Sequence, residues 1–130
     1  MAILILGKNN KILKNLNIKI KKKNLIFFDR YDLNHSFNYS HETFIKKFKN
    51  IKTIINFIGE YKDEKKMLES NYLFLKKLFR LLNKNKKKIT FIHLSSIGVY
   101  GLYNSKNKFK KLNENSYLKS INYYQKTKIK

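Results

Sequence analysis

Four short apolar runs, separated by stretches of helical periodicity, constrain the fold of this chain more than any other feature. Each run is short enough to be a buried strand, and the four cover residues 2–6, 24–29, 53–59 and 89–96. Apolar residues recur at helical spacing in the ranges 10–18, 40–48, 63–83 and 116–130. This alternation predicts an α/β domain with a parallel sheet, in which strand two flanks strand one and strands three and four lie on its other side.

The length and the missing cysteines exclude several classes of protein. A chain of 130 residues supports one domain. With no cysteine it has no disulfide framework, no thiolate zinc site and no thiol catalysis. No apolar run is long enough to span a bilayer and the N-terminus lacks the pattern of a signal peptide, so we expect a cytoplasmic protein with no membrane partner.

The net charge of +22 suggests nucleic-acid binding, but the composition argues against a specific site. The charge comes from 28 Lys and only 2 Arg, in a chain that also holds 17 Asn and no Pro. Lys and Asn have A/T-rich codons, whereas Pro and Arg have G/C-rich ones, so an A/T-rich genome explains the charge. Base readers favour arginine for its bidentate fork. We therefore expect only sequence-blind, salt-sensitive adhesion to polyanions.

Glycines and polar residues that are candidates for ligand binding or catalysis follow the predicted strands. In parallel sheets ligands bind beyond the carboxyl ends of the strands. Gly7 follows the first strand, Asp29 ends the second, Gly59 ends the third and Ser96 ends the fourth. Further on, Tyr124 and Lys128 are four residues apart, which places them on one face of a predicted helix.

These motifs resemble the extended short-chain dehydrogenase/reductase family, the NAD-dependent epimerases and dehydratases that act on nucleotide sugars. The stretch SSIGVYG at residues 95–101, followed about two dozen residues later by YQKTK at 124–128, is similar to that family's catalytic segment. The resemblance implies a Rossmann-like domain over residues 1–130 that is the NAD(P)-binding part of a longer enzyme, with the C-terminal substrate-binding region absent.

The resemblance also implies a role for each matching residue. Ser96 would hydrogen-bond the substrate oxygen, Tyr124 would be the general acid or base, and Lys128 would hold the nicotinamide ribose and favour the tyrosine phenolate. The residues implied in cofactor binding are Gly7, Asn10, Lys11, Ile12, Asp29, Arg30, Asp32, Leu33, Phe57, Ile58, Gly59, Asn71, Tyr124 and Lys128. NAD and NADP both stay open, because Arg30 beside Asp29 is suited to a 2′-phosphate.

The first turn departs from the family pattern Gly-x-x-Gly-x-x-Gly. Gly7 is kept, whereas Asn10 and Leu13 stand at the other two glycine positions. Asn10 is of a residue type that tolerates a left-handed turn, and Lys8 and Lys11 are expected to offset some of the loss by attracting pyrophosphate. Even so, a nicotinamide cofactor should bind more weakly than with three glycines.

The main functional interpretation is an NAD(P)-dependent epimerase, dehydratase or reductase for a nucleotide sugar, in a truncated or inactive form. Two alternatives stay open: a non-catalytic remnant or interaction protein on the same scaffold, and a basic polyanion-binding protein. Whether the chain is an enzyme is left open with them. No metal site is expected from the scattered histidines. Copies of the chain are expected to associate through the open edge of the sheet.

Overall fold

A parallel four-stranded sheet forms the centre of this computed structural model, which describes residues 2–16, 24–28, 46, 48–83, 88–101 and 112–130. The strands are β1 (Ala2–Leu6), β2 (Leu25–Phe28), β3 (Ile51–Asn56) and β4 (Thr90–His93). They run in the order β2-β1-β3-β4 and every neighbouring pair is parallel. The predicted α/β class and the predicted placement of the strands are both confirmed.

The helical segments follow the strands in the predicted alternation. They are α1 (Lys11–Asn15), α2 (Glu64–Leu68), a π-helical turn (Glu69–Leu73), α3 (Phe74–Asn83), a 3-10 turn (Ile97–Tyr100) and α4 (Tyr123–Ile129). The segments α2, π-turn and α3 are contiguous, so they form the long helix predicted for 63–83. Asp63 begins it, because its carboxylate accepts the N–H of Lys66 at 3.0 Å. Of the helix predicted for 40–48, most lies outside the described residues.

The two faces of the sheet carry separate cores. Side chains alternate along β1, so that Leu4 and Leu6 join the larger core while Ile5 joins the smaller one. Helix α3 covers the larger core through Leu78, which is fully buried. Helix α1 covers the smaller core through Leu13. Both faces of the sheet are therefore packed. Because all four strands are parallel, their carboxyl ends lie at the same edge of the sheet.

Several predicted boundaries are wrong in detail. Strand β3 covers Ile51–Asn56 rather than 53–59, and it ends at Asn56 because the Asn56 side chain accepts the N–H of Ile58 at 3.0 Å and turns the backbone out of the sheet. Strand β4 covers Thr90–His93 rather than 89–96. Helix α4 begins at Tyr123 rather than near 116, because Asn122 and Gln125 form a reciprocal capping box there.

The last strand in the sheet, β4, has no strand on its outer edge among the residues that the structure describes. Ile92 on this strand is half exposed. No helix in the described part of the chain is long and apolar enough to cross a membrane.

Candidate functional site

Gly7 lies where the ends of β1, β2 and β3 converge. Its N–H donates to the carbonyl of Phe28 at 2.6 Å, and its φ of +93° is a conformation that favours glycine. A Cβ at this position would lie 3.2 Å from the backbone carbonyl carbon of Phe57 and the backbone nitrogen of Ile58. The first residue of the predicted cofactor turn is thus a glycine for two independent reasons.

Asn10 does not use the left-handed conformation that its residue type tolerates. Its backbone is extended, with φ −67° and ψ 134°, and it is the N-cap of α1. The side-chain oxygen accepts the N–H of Ile12 at 2.8 Å, and the side-chain nitrogen donates to the carbonyl of Phe57 at 3.0 Å. A capping residue takes extended backbone angles, so Asn10 has no need of the left-handed conformation here. Lys11 and Ile12 are exposed in the first turn of the helix.

The loop after β3 presents its backbone rather than its side chains. Phe57 and Ile58, both predicted to contact cofactor, are buried, and they pack into the smaller and the larger core respectively. The Phe57 N–H donates to the carbonyl of Leu6 at 2.9 Å. Gly59 comes next and is exposed. This loop can therefore meet a ligand only through its main chain and through Gly59.

Asn71 connects this loop to α4. Its side-chain oxygen accepts the N–H of Glu60, while its side-chain nitrogen donates to the Glu60 carbonyl and to the Thr127 hydroxyl, each at 3.0 Å. Thr127 in turn donates to the carbonyl of Tyr124 at 2.8 Å. Asn71 lies in the π-helical turn, a feature common at functional sites and one that periodicity did not predict. Asn71 therefore joins the loop after β3 to α4 beside the site, and its predicted role in cofactor binding stays a prediction.

Lys128 reaches the carboxyl edge of the sheet from α4. Its ammonium donates to the carbonyl of Leu94 at 3.4 Å and lies 3.3 Å from where a Cβ on Gly59 would be. The Asn71 side-chain oxygen lies 3.6 Å from the same point. Burial lowers the pKa of Lys128 below its usual value. Lys128, Gly59 and Asn71, which the sequence assigned to one site, are therefore brought together.

Ser96 lies at the start of the 3-10 turn that follows β4. Its hydroxyl oxygen accepts the N–H of Gly98 at 3.2 Å. A Cβ on Gly98 would lie 3.3 Å from that oxygen and 3.5 Å from the side-chain nitrogen of Gln125, which is buried in the first turn of α4. Ser96 therefore lies on the side of the sheet edge where α4 begins. Tyr124, the neighbour of Gln125, is half buried.

Four of the predicted cofactor-binding residues lie outside the described residues: Asp29, Arg30, Asp32 and Leu33. Within the ranges that the structure does describe, no group of three or more His, Asp or Glu side chains could hold a metal ion.

His93 is a site residue that the sequence analysis did not connect with the site. It pairs in register with Asn56 across β3 and β4, and the side-chain nitrogen of Asn56 lies 3.0 Å from Nδ1 of His93. Since an amide nitrogen only donates, Nδ1 accepts and the imidazole is neutral. Burial, and secondly the charge of Lys128, lower the pKa of His93. The signal in the sequence was the position of both residues at the ends of adjacent parallel strands.

We expect the protein to lose stability as the pH falls below about 6.5, the ordinary pKa of histidine. The lowered pKa of His93 means that the unfolded chain takes up the proton first, so acid favours unfolding. Protonation at Nδ1 also breaks the bond to Asn56, with a loss of about 1 kcal/mol. Urea unfolding at about pH 7.5 and pH 5.5 measures this loss, and His93→Gln should reduce it. An equal loss in His93→Gln would assign the effect to other groups.

Several solved structures resemble this chain. RMD from Pseudomonas aeruginosa, complexed with NADPH, has a TM-score of 0.64 at 19% identity. A dTDP-4-dehydrorhamnose reductase from Clostridium acetobutylicum has a TM-score of 0.67 at 21% identity. A UDP-glucuronic acid 4-epimerase from Bacillus cereus, in complex with NAD, has a TM-score of 0.64 at 20% identity. No protein-family profile and no curated protein matches the chain.

Each match covers 99% of this chain but only 46% of the first two structures and 49% of the third, so the chain spans about half of their length. Two of them are named as a dTDP-sugar reductase and a UDP-sugar epimerase, and two are complexed with NADPH or NAD. The resemblance predicted from the sequence motifs is therefore confirmed at the level of the fold. At this identity the likeness shows the fold alone.

Proposed function

We propose that this chain is the cofactor-binding portion of an NAD(P)-dependent epimerase, dehydratase or reductase that acts on a nucleotide sugar. One observation carries the proposal: α4 directs the Lys128 ammonium to the carboxyl edge of the sheet, beside Gly59 and the carbonyl of Leu94. That edge is where parallel α/β sheets bind ligands. Two of the similar structures are complexed with NADPH and NAD, which supports a nicotinamide cofactor.

The surroundings of Gly7 and Lys128 fit a nicotinamide dinucleotide better than the start of α1 does. Gly7 lets the backbone approach a ligand closely, and Lys128 offers a cation beside Gly59. At the start of α1, however, the Asn10 side chain already accepts the N–H of Ile12, a donor that a pyrophosphate would use. We therefore expect binding in the millimolar range, about −4 kcal/mol.

The proposed roles follow from the groups that the edge presents. The Ser96 hydroxyl oxygen accepts the Gly98 N–H, so its hydrogen can donate to a substrate oxygen. Tyr124 would give or take the hydroxyl proton of the sugar. Lys128 would bind the nicotinamide ribose and stabilise negative charge on the tyrosine oxygen. The nicotinamide would supply the hydride donor or acceptor.

The proposal predicts that Lys128→Met weakens NADH binding at least about fivefold, because one charge-assisted hydrogen bond is lost. Lys126→Met is the matched control, since Lys126 is exposed on the same helix and its replacement removes the same charge. NADH fluorescence titrations at constant ionic strength measure both. If the two variants weaken binding equally, NADH adheres to the basic surface and the proposed site is wrong.

A non-catalytic remnant on the same scaffold is the second candidate. The observation that favours it is Asn10, whose side chain is committed to both Ile12 and Phe57. This candidate predicts no saturable NADH binding by the unmodified chain, in the same titration.

A further inference from the structure

The side chain of Asn56 joins the loop after β3 to the neighbouring strand β4. Asn56 is the last residue of β3 and is fully buried. Its side-chain oxygen accepts the N–H of Ile58 at 3.0 Å, and its side-chain nitrogen lies 3.0 Å from Nδ1 of His93. We propose that Asn56 and His93 are a positioning pair, which holds this loop in place for a ligand only while the imidazole is neutral.

The orientation of the Asn56 amide follows from its two partners. The backbone N–H of Ile58 can only donate, so the amide oxygen must face it. The amide nitrogen, which also only donates, is left to face His93. Nδ1 must therefore accept, and the single proton of the neutral ring is on Nε2. Both hydrogen bonds of the amide are satisfied in this one arrangement.

A proton on Nδ1 would turn the contact between Asn56 and His93 into two opposed donors. The strands hold their place, because the Asn56 carbonyl accepts the N–H of Leu94 at 3.1 Å. Rotating the amide by half a turn removes the conflict, since the amide oxygen then accepts from the imidazolium. A hydrogen bond to a charged group is about twice as strong as a neutral one, which favours this rotation. The rotated amide no longer accepts the N–H of Ile58.

The residue that loses its acceptor belongs to the loop at the ligand-binding edge. Ile58 is followed by Gly59, whose Cβ position lies 3.3 Å from the Lys128 ammonium. The backbone nitrogen of Ile58 lies 3.2 Å from the Cβ position of Gly7. Because a buried N–H without an acceptor is costly, we expect the Ile58 backbone to move towards another acceptor or towards water. This movement changes the spacing of Gly7, Gly59 and Lys128.

The surroundings of His93 oppose its protonation. Burial, and secondly the charge of Lys128, lower the pKa of His93 below its usual value. The Phe91 ring stacks on the imidazole, with ring centroids 6.2 Å apart. The titratable groups that line the same cleft from the flanking helices include no acid among the described residues: Tyr72, Lys76, Arg80, Lys128 and Lys130. The loop should therefore be released only below about pH 6.5, the ordinary pKa of histidine.

Nuclear magnetic resonance tests the movement of the loop without any ligand. The chain has three histidines, so the His93 ring can be assigned by its loss in a variant. We expect the protection of the Ile58 amide against hydrogen exchange to fall at least about fivefold as the His93 ring titrates. The Phe57 amide, which donates to the Leu6 carbonyl at 2.9 Å, is the internal control and should keep its protection. Equal changes at Ile58 and Phe57 would overturn the proposal.

Two variants separate the hydrogen bond from the charge. His93→Asn keeps an acceptor close to the position of Nδ1 but does not titrate, so Ile58 should stay protected in acid. Asn56→Asp offers acceptors to both partners, so it should raise the pKa of His93 and also keep Ile58 protected. Far-UV circular dichroism checks that each variant is folded. If His93→Asn keeps the acid response of Ile58, the proposal is wrong, whether or not Asn56→Asp folds.

The effect on cofactor binding rests on the proposed function. We expect NAD⁺ to bind about twofold or more weakly at about pH 5 than at about pH 7.5, because only chains with the loop in place bind it. His93→Asn should abolish this difference. Adhesion to the basic surface would change in the opposite direction, because acid adds positive charge.

Failure of the proposed function and failure of the positioning pair give different results. If chemical-shift titrations show no saturable NAD⁺ binding at either pH, the proposed function is wrong, and the exchange of the Ile58 amide still decides whether the pair holds the loop. If NAD⁺ binds equally well at both pH values while Ile58 loses its protection, the pair does not position the loop for a ligand and this inference is overturned.

Discussion

Replacing Asn71 with alanine should lower the free energy of unfolding by about 3 kcal/mol, because it removes three hydrogen bonds worth about 1 kcal/mol each. The Asn71 side chain is 4% exposed and makes three hydrogen bonds, two to the Glu60 backbone and one to the Thr127 hydroxyl. Its loss removes the bonds by which the π-helical turn holds both the loop after β3 and α4. Urea unfolding followed by circular dichroism measures the change.

Asn83→Ala is the matched control, because Asn83 is exposed at the end of α3 and a surface substitution changes stability by no more than about 0.5 kcal/mol. A double-mutant cycle with Thr127→Val should show coupling between Asn71 and Thr127. If Asn71→Ala is no more destabilising than Asn83→Ala, the hydrogen bonds of Asn71 to Glu60 and Thr127 do not stabilise the folded protein.

The second large effect is expected at Gly7, where alanine should destabilise the protein by about 2–4 kcal/mol. A residue with a Cβ is strained at a φ of +93°, and the added Cβ would lie 3.2 Å from main-chain atoms of Phe57 and Ile58. Those atoms follow a central strand and cannot shift without disturbing the hydrogen bond from Phe57 to Leu6.

Gly59→Ala separates these causes from the general effect of adding a methyl group. At Gly59 the backbone is outside the left-handed region, and the nearest atom is the mobile end of Lys128 at 3.3 Å. We expect a loss below about 1 kcal/mol for this variant. Thermal unfolding of both variants under one set of conditions makes the comparison. Equal losses at the two glycines would show that neither the φ angle nor the backbone contact of Gly7 matters.

Strand order and site location were predictable because both follow from local patterns. Apolar runs end at Gly7, near Gly59 and before Ser96, and parallel strands place such ends at one edge. The start of α4 was not predictable in this way. Leu118 and Ile121 have helical spacing with Tyr124, yet both are about half exposed. The backbone before α4 is instead held by Val99, whose carbonyl accepts the N–H of Lys119 at 2.9 Å.

Other features depended on partners distant in sequence. The Asn56–His93 pair needs the register of β3 with β4, and periodicity carries no information about register. Asn10 was assessed from the glycine that it replaces, whereas its side chain caps α1 at Ile12 and also donates to the carbonyl of Phe57, 47 residues away. Local patterns do not reveal a partner that is this distant in the sequence.

The hydrogen bond between Lys119 and Val99 has a consequence for how this site could vary among proteins. It holds Lys119 beside Val99, and Ile121 lies 3.6 Å from the Cβ position of Gly101, so the chain contacts the 3-10 turn and the glycine after it from the segment that precedes α4. For a flexible chain that joins two fixed points, each doubling of its length costs only about 0.6 kcal/mol in entropy. Where related chains keep this hydrogen bond, we therefore expect the number of residues between Gly101 and Lys119 to vary more than the positions of Ser96, Tyr124 and Lys128.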